Sequence, residues 1–485
     1  ERMKLIVALG LLATVAHAHR VIDNNDKVAA KFLSYIYDEA LDAVDPYKTV
    51  AKALTVTRTS IFINGLRDKS RIPIKPCTPV YLLAFGRSAA AMAAAAEKRI
   101  GANFLSGIVI TPSGQKTKLK LRSRVFEAGA NNLPDEASNN ATAKVIDLIE
   151  SAPKHAVFVV LVSGAGSALL SLPVDGVSAD EKLATIQTVN TAGGNINQLN
   201  AVRTAISAVK GGRLGDLLGA RRSVSLIISD VLADPLYVVA SGPTVNVPKS
   251  APSATSVVAA LKIGSSLSPA VVAAIGVNKK TLSRTRNVLI GNNALALSGA
   301  SRALFKKGFQ PITASTLVAG DSALFGEWIA YLAQAKNPFD LSKRLFKTSR
   351  YYNNTKIVKA RSDRVAITLS GTTKSAVGTP NQVAAISALI ELLKSKKISC
   401  SSFALLTATS EGIEAGTNAA GIIFTDSIVP KKKSARDALL VQAQAALAGG
   451  KVAQFWAANK KIAHTFAPGF SGVMVQDIVV LLINF

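Results

Sequence analysis

Three short stretches and one isolated cation carry the residue types that could do chemistry. Ser163-Gly-Ala-Gly-Ser-Ala168, inside SGAGSALL (163–170), offers consecutive backbone N–H groups ahead of a helix start. That combination suits a phosphate, with Gly164, Gly166 and Ser167 as its contacts; a plain tight strand–helix connection would read the same way. VKGGRLGDLL (209–218) sets Lys210 and Arg213 around two glycines, either as an anion clamp or as a helix stop. SDVLADP (229–235) ends an apolar run on Asp230 and adds Asp234. Paired carboxylates hold Mg²⁺ with a nucleotide, and Asp before Pro is also ordinary turn chemistry. LLAFGRSAAAMA (82–93) puts Arg87 at the mouth of a glycine turn.

The elements that must position these residues follow from apolar periodicity. Val80–Phe85, Gly107–Thr111, Ala156–Val162 and Val224–Ser229 read as short all-apolar strands. Ser88–Lys98, Asn140–Ser151 and a tract from about Ala179 read as helices, and residues 26–66 as a helical lead-in with Ala29, Phe32, Leu33 and Ile36 on one face. Such alternation implies a parallel sheet buried on both sides. In open sheets of that kind ligands bind beyond the carboxyl ends of the strands, where Arg87, the 163–170 turn and Asp230 all fall. Pro248–Pro252 has linker composition, and the domain boundary is placed near it. Asn287–Gly291, Gln310–Ala314, Val365–Leu369, Phe403–Thr407 and Val479–Ile483 then read as strands, with Ala294–Lys306 as a helix.

The 485 residues predict two domains. Hydrophobic residues make up 49% and aromatics 6%, with a mean hydropathy of +0.29, which is the palette of α/β layers. Charge is lopsided: 57 Lys and Arg against 30 Asp and Glu give a net +27. Such a field favours polyanions, among them an acidic polysaccharide. No basic run sits in a nucleic-acid motif, so nucleic acid is disfavoured. Four His and two Cys, all scattered, argue against a His/Cys metal cluster. Cys77 and Cys400 lie in no CxxC and are expected as two buried free thiols, with a bridge between them outside the cell as the alternative.

Met3–Ala18 has the form of a secretory leader, with a positive start, an apolar core and an Ala16-His17-Ala18 end. It is too short for a transmembrane span. Left in place, it must pack on its own domain or on a neighbouring subunit. The expected location is extracellular or the secretory pathway, and Asn140 and Asn353 head glycosylation triplets.

Taken in order, LVSGAGSALLSLPVDGVSADEK, LNAVRTAISAVKGGRLGDLL and VSLIISDVLADPLYVVASGPTV closely resemble the type-II glycerate kinases, which phosphorylate D-glycerate with ATP. The resemblance is dense from Val80 to Val245. It continues more loosely through VLIGNNALAL (288–297), TSEGIEAGTNAAG (409–421) and HTFAPGFSGVMVQD (464–477). It implies an α/β protein of two domains, each a mostly parallel sheet covered by helices on both faces, with the active site in the cleft between them. The expected division is an apolar leader-like segment over 1–20, a Rossmann-like domain over 21–250 and a C-terminal α/β domain over 251–485.

Against the family pattern, several charge-bearing positions have changed. Arg87 stands where the family has a lysine thought to serve catalysis, and a planar guanidinium does not reproduce an ammonium point contact. Ala165 replaces the middle glycine of the family's Gly-Gly-Gly-Ser turn. Thr204 stands for a lysine and Tyr237 for a carboxylate. Pro380 and Val383 flank the retained Asn381 and Gln382 where the family has Arg and Glu. Glu411 and Glu414 replace two Asp, Asn418 replaces Glu, and Met474 replaces Asn.

These losses fall on positioned charge, the currency of phosphoryl transfer. The expectation is therefore a glycerate-kinase-like pseudoenzyme, with Arg87 and Asp230 as remnants of catalytic positions. It would be reused outside the cell as a self-assembling, even filament-forming, homo-oligomer, and it would need no cofactor. The alternatives are an active glycerate kinase using ATP and Mg²⁺, and a small-anion or nucleotide binder without turnover.

Overall fold

The computed structural model describes residues 26–115, 119–130, 133–277, 281–349, 359–395 and 402–485. The leader-like segment, Asn353 and Cys400 lie outside them. The chain divides into two compact units, Asp45–Asn292 and a second made of the residues up to Val44 together with Asn293–Phe485. Both are α/β. No helix among the described residues is long and apolar enough to cross a membrane.

In the first unit, β1 (Leu54–Val56), β2 (Ser60–Asn64) and β3 (Lys69–Pro73) form an antiparallel meander. The helical lead-in thus stops at Ala53, and residues 54–66 belong to strands and their turns. SIFIN and KSRIP alternate buried and exposed positions, a period of two that a helix reading overlooks. Six further strands build the main sheet: β4 (Val80–Phe85), β5 (Phe104–Pro112), β6 (Arg124–Ala128), β7 (Val157–Val162), β8 (Arg222–Ile228) and β9 (Arg286–Gly291). Their order is β6-β5-β4-β7-β8-β9, and every pairing is parallel.

All six residues of β4 and of β7 are buried. Tyr81, Leu83 and Phe85 join one core with Val145 and Ile149 of the helix Glu136–Ser151. The opposite face is closed by the alanine-rich helix Ala89–Ile100, which packs on β4, β5 and β7. The helix over 136–151 begins four residues earlier than its apolar pattern suggests, because Asp135 and Ser138 form a capping box. The segment 248–252 interrupts nothing. The helices Ala254–Leu261 and Pro269–Gly276 beyond it pack with Val189 and Val202 in a satellite core, and β9 then pairs with β8. The division therefore falls at Asn292/Asn293 rather than near residue 250.

In the second unit, β10 (Gln310–Asp321), β11 (Arg364–Lys374), β12 (Ser402–Thr409), β13 (Gly421–Thr425), β14 (His464–Phe466) and β15 (Asp477–Asn484) take the order β10-β11-β15-β12-β13-β14. Only β10 and β11 run parallel. The C-terminal strand β15 inserts between β11 and β12 antiparallel to both, and β13 and β14 continue antiparallel, so this sheet is mixed. The helix Asp26–Ala43 belongs here. Its Tyr37 hydroxyl donates to the Thr409 carbonyl at 2.7 Å, and the ring meets Phe466 edge-on at 4.9 Å.

Candidate functional site

The parallel sheet brings the carboxyl ends of β4, β7, β8 and β9 to one edge. The first two turns lock onto each other. Ser163 N–H donates to the Phe85 carbonyl at 3.2 Å, and Arg87 N–H donates to the Gly164 carbonyl at 2.9 Å. The buried Ser163 hydroxyl oxygen accepts from Ser88 N–H at 3.1 Å. Gly86 makes this approach possible: its φ is +127°, and a Cβ there would sit 2.7 Å from the Ser163 carbonyl oxygen. Gly166 meets a similar limit against the Ala240 methyl and the Phe85 ring, at 2.9 and 3.1 Å. Arg87 is half-buried and its carbonyl accepts from the Gln115 amide at 3.1 Å. Between the two glycines of the turn, Ala165 sits at φ 64°, in the left-handed region that a glycine would occupy without strain.

Beneath this turn lies Lys210, 1% exposed. Its ammonium donates to the carbonyls of Ser167 and Leu170, both at 2.7 Å, closing the end of the one-turn helix Gly166–Leu169. Arg213 donates to the Ser207 carbonyl and, at 3.4 Å, to that of Ala205. Both side chains donate to backbone carbonyls of their own unit. The glycines between them serve packing, since Gly211 and Gly212 N–H donate to the Ser241 and Gly242 carbonyls at 2.9 and 2.7 Å. That contact docks the Ser-Gly-Pro-Thr turn against the 210–215 bend. Asn200 fixes the same turn, accepting from the Ser241 hydroxyl at 2.8 Å.

Two cations outside the glycine-rich turns complete the picture. Lys182, also 1% exposed, donates to the Ser171 hydroxyl at 2.8 Å. Arg203 lies half-buried in the last turn of the helix Ile196–Ala205. Burial and the neighbouring Arg203 charge bring the Lys182 ammonium down to a pKa of about 7. Burial brings Arg203 down to about 10. Lys210 is held well below the ordinary lysine value by burial, then by Lys182 and Arg203. Neither residue stands in a glycine-rich turn. The available signal was their place in SADEK and NAVR, between the two turns that the fold later joins.

Asp230 follows β8 by two residues and is half-buried. Asp234, at φ 56°, accepts from the Asn292 amide at 2.7 Å and lies 3.7 Å from the Arg67 guanidinium. Its carboxylate is thus engaged by an amide and a cation of its own unit. Among the described residues no group of three or more His, Cys, Asp or Glu side chains could hold a metal ion.

In the second unit a carboxylate cluster surrounds the start of the helix Pro380–Lys394. Asn381 N–H donates to Glu414 at 2.6 Å and the Asn381 amide donates to Asp477 at 3.0 Å. Burial raises Glu414 to a pKa of about 7, and burial with the Glu414 and Glu411 charges raises Asp477 to about 7. Asn140 is exposed on its helix, while Thr142 of its triplet is buried, donating to the Ser138 carbonyl at 2.7 Å. Cys77 is exposed, contrary to expectation, on a turn with φ 63° ahead of β4.

The family model described as a domain of unknown function (DUF4147) matches residues 32–276, which include β1 to β8 and the turns after β4, β7 and β8. The chain belongs to this family, and with it to the glycerate kinase family. A glycerate 2-kinase of Pyrococcus horikoshii is 29% identical over 92% of this chain and 95% of its own length. An uncharacterized Caenorhabditis elegans protein is also 29% identical, over 92% and 97%. The crystal structure of a Thermotoga maritima glycerate kinase superposes with a TM-score of 0.70 at 26% identity, covering 94% of this chain and 100% of that one. Within this glycerate kinase family chain, the glycine and proline positions that shape the turns are present. Arg87 stands in the first turn and Ala165 in the second.

Proposed function

We propose that this chain is a glycerate kinase homologue in which phosphoryl transfer from ATP to D-glycerate is impaired, and which is kept for its folded body. The observation that carries the proposal is that Lys210 and Arg213 donate to backbone carbonyls of their own unit, near a turn where Arg87 stands at the position that the resemblance assigns to a lysine. Charge placed around the phosphates is what accelerates such a transfer, and each missing donor costs on the order of 10²–10³ in rate. Asp234, engaged by Asn292 and Arg67, adds no free carboxylate. A coupled assay with ATP, Mg²⁺ and D-glycerate tests this. Turnover above about 1 s⁻¹, within the usual enzyme range, would overturn it.

The near-complete coverage of the Pyrococcus glycerate 2-kinase favours the alternative of an active kinase, which predicts saturable ATP consumption in the same assay. Reuse as an extracellular, self-assembling protein is supported by the leader-like Met3–Ala18 and the net charge of +27. An apolar arm entering a neighbour makes a head-to-tail contact, and such contacts propagate into open polymers. Purified protein that stays monomeric at high concentration, with and without an acidic polysaccharide, would remove this part of the proposal.

A further inference from the structure

We propose that Lys182, Arg203 and Lys210 form one seat for a small dianion, inorganic phosphate or a phosphomonoester, entered past Arg203. The proposal goes beyond the impaired-kinase reading and stands whether or not ATP is turned over.

The three side chains come from separate stretches: the helix Ala179–Thr191, the helix Ile196–Ala205 and the bend before Arg213. The fold gathers Lys182 and Lys210 under the Ser167–Ser171 segment, and the Arg203 charge acts on both. Two of the three are 1% exposed. Among the described residues, no ion pair joins any of them to a carboxylate. The influences on their charge are burial and one another. Buried cations without a counter-charge are strongly unfavourable. The nearby carboxylates have other tasks. Glu181 caps its own helix at Ser178, and Asp216 accepts from Leu282 N–H while acting on Arg213.

Donor counting gives the seat its chemistry. Lys210 spends two of its three N–H groups on carbonyls, and Lys182 spends one on Ser171. The Ser171 hydroxyl, accepting from Lys182, keeps its own proton to donate. Arg203 donates to no described residue, and its planar fork suits two oxygens of a phosphate. Half-buried, it is the one member of the three with an open side. A dianion matches this surplus better than a monocarboxylate does.

The rival outcome is that the cluster relieves itself by losing the Lys182 proton. Thermal unfolding at pH 7 with inorganic phosphate, against chloride at matched ionic strength, separates the two. The expected result is a saturable rise in Tm that tracks phosphate concentration. Arg203→Gln and Lys182→Gln should each bind phosphate about tenfold or more weakly, the loss of one charge-assisted contact. The exposed Lys343→Gln should bind as the wild type does. Should the two cluster variants fail to fold, the wild type alone still decides: the Lys182 ammonium, followed by lysine ¹⁵N NMR, must titrate at higher pH with phosphate than without. A phosphate shift no larger than that of chloride, equal binding in the variants, or an unmoved Lys182 titration would each overturn the proposal.

Discussion

Lys210 donates to the Ser167 carbonyl at 2.7 Å from a position 1% exposed to solvent, 43 residues away in the chain. The same ammonium reaches Leu170 at 2.7 Å, so a single cation closes the turn that follows β7. A side chain that the sequence offers as a ligand for an anion also serves, in the fold, as a strut. Replacing it by methionine keeps the stem's volume and leaves two carbonyls short of a donor. Lys210→Met should lower stability by about 1–3 kcal/mol, the cost of unmet buried polar groups less the relief of removing a buried charge. Urea unfolding reads this directly, and an unchanged midpoint would show that the strut is dispensable.

The two glycine-turn positions predict opposite effects. Gly86→Ala places a methyl against Ser163 at a φ that side chains rarely adopt, and should destabilise by roughly 2–5 kcal/mol through strain and overpacking. Ala165→Gly removes a left-handed alanine at φ 64° and should stabilise by about 0.5–1 kcal/mol, partly offset by the freer unfolded chain. Thermal unfolding of both variants checks the pair. Equal shifts of the same sign would contradict the turn geometry described here.

Lys182 predicts a pH window. Its pKa falls from 10.5 in the unfolded chain to about 7 in the fold. Between those values the folded chain binds fewer protons, so this group makes stability rise with pH across that interval. Lys182→Met should flatten that rise while leaving the acid side unchanged. Tm measured every half unit from pH 6 to 10 for both proteins gives the comparison.

The carboxylates of the second unit predict the reverse slope at lower pH. Glu414 is raised from 4.5, and Asp477 from 3.8, each to about 7. Between the unfolded and folded values the folded chain holds more protons. Their contribution is therefore present at low pH and is lost as pH rises through about 7. Glu414→Gln, which keeps an acceptor for Asn381 N–H and removes the charge, should weaken that fall. A wild-type and variant pair with parallel pH profiles from 4 to 8 would show that the cluster titrates normally.

Much of the first sheet was legible in the chain. Val80–Phe85 and Ala156–Val162 are apolar at every position, because a parallel strand between two helical layers has no polar face, and both appear as strands within one residue of the expected limits. The turns after them were legible too, since Gly86 and Gly166 mark backbone approaches that no Cβ permits. The second sheet was less so. Phe403–Thr407 and Val479–Ile483 read as strands, but an apolar run carries no record of its direction relative to a partner, and β15 lies antiparallel to both neighbours. The meander at 54–73 was hidden by a helical pattern that continued into it from the preceding helices.

The sequence by itself determined the α/β class, the turns at the strand ends and the residues Arg87 and Ala165 within them. Each of these depends on local matters: side-chain period, permitted φ, residue identity. Only the tertiary structure decided what the cations do. Lys182 and Lys210 meet because the helix Ala179–Thr191 and the bend before Arg213 fold back under the turn of β7. Burial then changes both their charge and their partners. A lysine in water and a lysine bound to two carbonyls have the same one-letter code, and the difference is a desolvation that chain order does not record.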